Sequence, residues 1–278
     1  MKLMLRSLFN SVTAHIVLLS GAFVIAYPFL WMVQASLRSS GEIFGAVADP
    51  ITPIQALSDN YGRALFETPL LRFMANGIIV CGGILFFQIL TTVTCAFALA
   101  KYEFRGARFM FALVLVMLAV PAQVPALPIF LTLAEFGLLD SYFAMMLPYL
   151  TSAFAILLFR QFIKSFPDDI LAAARLDGMT EIEIVARVVL PAMLPAIAAF
   201  AVFSVSFHWN DLYWPMIVIR SAELAPPTLG ILFFKGQEGG DNFGALMASA
   251  TLVTAPLILV FLASQRRFVQ GVTMSGVK

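Results

Sequence analysis

The chain is short of charge: only 12% of its 278 residues are Asp, Glu, Lys or Arg, where a soluble domain carries roughly 25%. Set against 61% hydrophobic residues and a mean hydropathy of +0.93, that shortage excludes a water-soluble fold. A formal net charge of +1 lacks the basic footprint that nucleic acid demands, so no nucleic-acid partner is expected. Histidine and cysteine are scarcer still. His15, His208, Cys81 and Cys95 are too scattered for a metal site, and neither H-E-x-x-H nor G-x-S-x-G occurs, which argues against intramembrane catalysis. Cys81 and Cys95 share one apolar run, and a helical rise of 1.5 Å per residue puts them about 21 Å apart, too far for a disulfide. No G-x-x-x-x-G-K-S/T phosphate loop is present. The chain is therefore expected to hold no cofactor and no nucleotide of its own.

Long apolar runs are what the sequence has instead. Stretches 12–33, 73–100, 109–133, 142–162, 194–215 and 243–264 approach or exceed the roughly 20 residues that cross about 30 Å of hydrocarbon. Helices are expected, because backbone amides in lipid must be satisfied within their own segment or in a closed barrel. A barrel needs short alternating strands, and 109–120 does not alternate. The expectation is an all-α membrane protein with about six transmembrane helices in one domain over 1–278. Lys2, Arg6, Lys101, Arg105, Arg108, Arg160, Lys164, Arg175, Arg187, Arg266, Arg267 and Lys278 fall on one side of these spans. The positive-inside rule makes that side, and both termini, cytoplasmic. Trp31, Trp209, Tyr213 and Trp214 then form an outer aromatic belt. Lys2 and Arg6 ahead of 16–26 also resemble a signal peptide, but the apolar stretch continues to Val33 and favours an uncleaved first span.

Two outer loops, 34–72 and 217–242, carry Pro50, Pro53 and Pro69, and Pro226, Pro227, Gly236, Gly239 and Gly240. Such punctuation predicts irregular backbone. These loops either connect helices or touch an external protein. The inner segment 167–195 has more design. Pro167 with Asp168 and Asp169 predicts a helix start, and Gly178 its end. Thr180 and Glu183 form a capping-box pattern for a second helix, and Leu190-Pro191 and Leu194-Pro195 bend the chain into the fifth span. Ala172, Ala173 and Ala174 leave a surface that a partner can approach closely. The competing use is an amphipathic helix resting on lipid headgroups.

At this segment the sequence resembles the binding-protein-dependent ABC transporter permeases, whose signature loop reads E-A-A, three residues, G, then about nine residues and an I-x-L-P-type ending. Ala172 to Gly178 and Val188-Val189-Leu190-Pro191 match it in order and spacing. Asn60-Tyr61, Asn76, Ala100 to Gly106, Pro121 with Pro125 and Pro128, Trp209-Asn210-Asp211 and the run from Gln265 to Lys278 look like the carbohydrate-uptake class that includes the smaller maltose permease subunit. The resemblance implies a coupling helix between spans four and five, docking through Ala172, Ala173, Ala174, Asp177 and Gly178, with Leu190 and Pro191 bracketing it. It further implies a second permease subunit, two cytoplasmic ATPase subunits that bind ATP and Mg, an extracytoplasmic solute-binding protein and a sugar-like substrate. The signature glutamate is replaced by Ala172 here.

Polar residues within spans mark pathways or interhelical hydrogen bonds. Ser204, His208 and Asp211 share a helical stripe, with Asn210 beside them, and Pro121 and Pro125 weaken the third span. These six are the candidate translocation residues. A gradient-driven secondary transporter is the rival, but no carboxylate lies deep in a span.

Overall fold

The computed structural model describes residues 2–45, 52–237 and 242–274, with side chains over 12–45, 52–232 and 242–262. Among the described residues every regular element is a helix. In chain order the principal ones are α1 (Lys2–Ser36), α2 (Leu70–Lys101), α3 (Ala107–Ala119), α4 (Ala126–Glu135), α5 (Tyr142–Met146), α6 (Ala153–Lys164), α7 (Asp168–Leu176), α8 (Glu181–Ile184), α9 (Leu194–Trp209), α10 (Tyr213–Val218), α11 (Pro227–Gln237) and α12 (Phe243–Met274).

Three stretches, Val12–Ser36, Leu70–Lys101 and Phe243–Leu262, are long and apolar enough to cross a bilayer as single helices. The stretches 109–133, 142–162 and 194–215 are not single helices, which corrects that reading of them. Val120 precedes Pro121 and is driven to extended backbone (φ −85°, ψ 119°), so α3 stops there and α4 begins only after Pro125. The Tyr142–Tyr149 and Ala153–Lys164 stretches meet at 50°, with Ser152 capping α6 by accepting from the amide of Ala155 at 3.2 Å. A 78° bend separates Glu181–Ala192 from α9; Pro195 in the first turn of α9 supplies no amide to continue the preceding ladder. α9 then ends at Trp209.

The proline-rich loops are also more regular than their composition predicts. Capping boxes at Ser39 with Glu42 and at Thr52 with Gln55 start short helices, and two π-helical turns, Leu57–Tyr61 and Arg63–Glu67, follow. Pro53 sits in a first turn, where a missing amide costs nothing. Pro227 begins α11. Pro50, Gly239 and Gly240 lie outside the described residues.

The chain divides into two compact units. One comprises Met1–Leu70 and Ile231–Ala255. Within it buried Asn60 donates to the carbonyls of Ser36 and Arg38 at 2.9 and 3.0 Å, and Tyr61 pairs with Ser36 Oγ at 2.8 Å. The other comprises Leu71–Gly230 and Pro256–Lys278. Its core packs Val93, Ala96 and Phe97 of α2 with Phe159 and Ile163 of α6, Leu171 and Ala174 of α7, Ile184 of α8 and Phe200 of α9. Apolar side chains of α1 and of α3 remain widely exposed, as suits helices whose surroundings are hydrocarbon.

Candidate functional site

The segment 167–195 is built as its spacing predicts. Pro167 is the N-cap of α7, with Asp168 and Asp169 in the first turn and Arg175 in the last. Gly178 takes φ +82°. The amide of Met179 then reaches the carbonyl of Ala174 at 3.1 Å and the amide of Gly178 that of Arg175 at 3.0 Å, which together make a Schellman closure. Thr180 Oγ1 caps α8 by accepting from the amide of Glu183, whose carboxylate accepts from the amide of Thr180 at 3.0 Å.

The alanines do not share one surface. Ala172 and Ala173 are exposed, whereas Ala174 is buried against the core. Asp177 and Gly178 are exposed, Leu190 packs on the core and Pro191 is exposed. Leu176 (90% exposed), Ile182 (82% exposed) and Ile170 add apolar side chains to the open face of this segment.

The acids around it are differently committed. Arg175 Nε donates to Glu181 at 2.7 Å, and that hydrogen bond, with a second contact from Tyr102, holds Glu181 below the usual carboxylate range. Glu183 is lowered chiefly by the amide and hydroxyl of Thr180. Asp168 pairs with Lys101 at 2.7 Å.

A second group of polar side chains is buried between α2 and α9. Ser204 donates to Gln88 Oε1 at 2.6 Å, and Gln88 Nε2 lies 3.4 Å from His208 Nε2. With Oε1 taken by the hydroxyl, Gln88 presents its N–H to His208, so this tautomer carries its ring proton on Nδ1. That Nδ1 has no hydrogen-bond partner among the described residues, although His208 is 8% exposed. Asp211 lies past the end of α9, yet the hydroxyl of Tyr149 donates to it at 2.9 Å while the Tyr149 ring packs 4.5 Å from that of His208. Tyr149, His208 and Asp211 thereby face one small pocket, walled by Gly77, Cys81 and Met145.

Ser204, His208 and Asp211 are therefore joined, but through Gln88 and Tyr149, which the spacing argument missed. A glutamine inside an apolar run was the available signal for the first. Asn210 instead bonds back to the carbonyl of Ser206 at 2.8 Å and is exposed. Pro121 and Pro125 lie at the break between α3 and α4 and do not line this pocket.

The residues before α11 are pinned by side chains as well. Asn76 donates to the carbonyls of Glu223 and Ala225, both at 2.9 Å, and accepts from the Tyr142 hydroxyl at 2.7 Å. Asp140 accepts from the amides of Arg220 and Ser221 at 3.0 Å. Partial burial pulls the Asp140 carboxyl up, but the bonds from Ser221 and Arg220 outweigh it and the net direction is down.

Residues 88–274 match the family described as binding-protein-dependent transport system inner membrane component. The chain belongs to that family. This inner membrane component is 31% identical to the arabinooligosaccharides transport system permease protein AraQ of Halalkalibacterium halodurans, covering 92% of each chain. It is also 31% identical to the lactose transport system permease protein LacG of Rhizobium radiobacter (96% of each). Identity to the sn-glycerol-3-phosphate transport system permease protein UgpE of Brucella suis is 28%, over 94% of this chain and 95% of that one. A solved bacterial ABC transporter involved in the import of the acidic polysaccharide alginate shares the fold, with a TM-score of 0.79 at 24% identity over 94% of this chain and 97% of that chain. The family places this protein in the bacterial inner membrane as a multi-pass transport subunit.

Proposed function

We propose that this inner membrane component is the permease subunit of an ATP-driven ABC importer for a sugar or sugar-like solute. It lines a translocation pathway with a second permease subunit and is served by two ATPase subunits that bind ATP and Mg and by an extracytoplasmic solute-binding protein. This reading takes six membrane passages, the third, fourth and fifth of them broken, and the distribution of Lys and Arg supports a cytoplasmic side for both termini and the segment 167–195. Relatives named for arabinooligosaccharides, lactose and sn-glycerol-3-phosphate support a hydroxyl-rich solute. Membership of a binding-protein-dependent family displaces the gradient-driven rival.

The observation that carries the coupling role is the open face of 167–195. It offers Ala172, Ala173, Asp177 and the Gly178 turn, flanked by exposed Leu176 and Ile182. Apolar side chains standing this far out on a rigid, doubly capped device suit the groove of a partner protein. ATP-dependent closure of the ATPases moves this device, and the broken helices rock in response. Ser204, His208 and Asp211, with Asn210 and the Pro121–Pro125 break, are the pathway residues under this reading.

The test is uptake into proteoliposomes holding the complete importer, using radiolabelled arabinose oligosaccharides, lactose and glycerol 3-phosphate. One of these solutes is taken up over many turnovers with ATP and not with a non-hydrolysable analogue. Equal uptake with the analogue would sink the proposal.

A further inference from the structure

The end of α2 is tied to the start of the segment 167–195. Lys101, the last residue of α2, buries its side chain to 7% exposure and donates to the carbonyl of Phe166 and to Asp168, each at 2.7 Å. Those two acceptors bracket Pro167, where α7 starts. At the other end of α7, Arg175 Nε donates to Glu181 at 2.7 Å and ties the end of α7 to the start of α8. Between these polar contacts, Phe97 and Ala100 pack in the same core as Leu171, Ala174 and Ile184.

An ordinary surface ion pair contributes little, because both partners keep their water. This one differs on the lysine side. A buried ammonium that loses its carboxylate is left with one carbonyl, which is costly. The arrangement therefore adds a directional tie between α2 and the start of α7 to the apolar packing they share.

We propose that Lys101, through Phe166 and Asp168, forms a clasp that makes α2 move with the segment 167–195, so that displacement of α7 is delivered to α2 directly and not only through the bend into α9. The inference rests on the reading of 167–195 as the coupling segment. α2 is an unbroken helix that carries Gln88 to the Ser204–His208 group and Asn76 to the residues before α11, so a displacement received at Lys101 reaches both. Lys101 is a positioning residue.

In the reconstituted importer the readout is solute transported per ATP hydrolysed, with whichever of the three radiolabelled solutes is accepted. Lys101→Met lowers this ratio about tenfold, in the range of typical coupling energies, while the complex still copurifies. Lys101→Arg keeps the charge and the carbonyl contact and restores most of the ratio. Asp168→Asn, on a side chain 84% exposed, lowers the ratio in the same direction and keeps the test decisive where Lys101→Met fails to accumulate. An unchanged ratio in Lys101→Met, or in Asp168→Asn where the former is absent, overturns the clasp. Ala173→Trp is the control: if it too leaves uptake coupled to ATP, the coupling reading itself is wrong, and if it alone uncouples, only the clasp is.

Discussion

Ser204 and Gln88, 116 residues apart in sequence, share a 2.6 Å hydrogen bond that leaves the Gln88 amide N–H free for His208. Gln88 is thus the hub, and Ser204 a spoke. Replacing Gln88 by Leu strands both the hydroxyl and the ring nitrogen, whereas Ser204→Ala strands one acceptor. Interhelical bonds of this kind contribute about 0.5–2 kcal/mol each in membranes. Thermal unfolding of the detergent-solubilised complex should show Gln88→Leu as the more destabilised variant. The reverse order would deny Gln88 its central place.

Gly178 stands in open space, since a Cβ built there meets nothing within 4 Å. Any loss on substitution is therefore conformational, about 1–2 kcal/mol for a side chain forced into the left-handed region. Gly178→Asn should retain more ATP-coupled uptake than Gly178→Val, because Asn tolerates that region. Equal loss in both would point to a contact with the partner and not to the turn.

Ala173 and Ala174 differ in burial and should fail differently. Ala173→Trp leaves the permease folded and disturbs its seat on the ATPases, measured as a lower ratio of solute transported to ATP hydrolysed in the reconstituted importer. Ala174→Trp overfills a packed core and costs about 1–3 kcal/mol, seen as lower yield and melting temperature. Ala172→Glu, on an exposed position, should be neutral in both assays.

Glu181 and Glu183 have folded pKa values below their ordinary value of 4.5. Their contribution is therefore complete above about pH 4.5 and is lost as pH falls through the lowered values, where the folded form must take up protons it resists. Hydrogen exchange over 179–187, corrected for intrinsic rates, should accelerate on going from pH 7 to pH 4. Glu183→Gln should flatten that dependence. A flat wild-type profile would contradict it.

Two glycines of α2 separate rigid from yielding neighbours. A Cβ on Gly77 would lie 2.6 Å from Pro227 Cδ, and one on Gly83 would lie 2.7 Å from Met146 Sδ. A proline ring cannot turn aside, whereas a methionine can. Gly77→Ala should lower the melting temperature of the complex more than Gly83→Ala does.

Sequence patterning reached local features most accurately. The caps at Pro167, Gly178 and Thr180 depend on residues a few positions apart, so spacing alone placed them. The breaks were harder. Pro121 announced one, but Ser152 caps a helix inside an apolar run, and hydropathy does not register a lost backbone bond. The candidate pathway residues Ser204 and His208 were visible as polar side chains in a span. Their partners Gln88 and Tyr149 come from other helices, and such pairings are decided by tertiary packing. Ala174 looked equivalent to Ala173 because composition does not record which way a helix faces.

At 1.5 Å per residue the 32-residue α2 is about 48 Å long, against roughly 30 Å of hydrocarbon. Such a helix suffers hydrophobic mismatch: it must lean, or emerge past the headgroups with Lys101 at its wet end. A lean would change with the thickness of the surrounding lipid, and the clasped segment 167–195 would be carried along. With the clasp in place, a change of lipid acyl-chain length should therefore alter how readily ATP hydrolysis is converted to uptake.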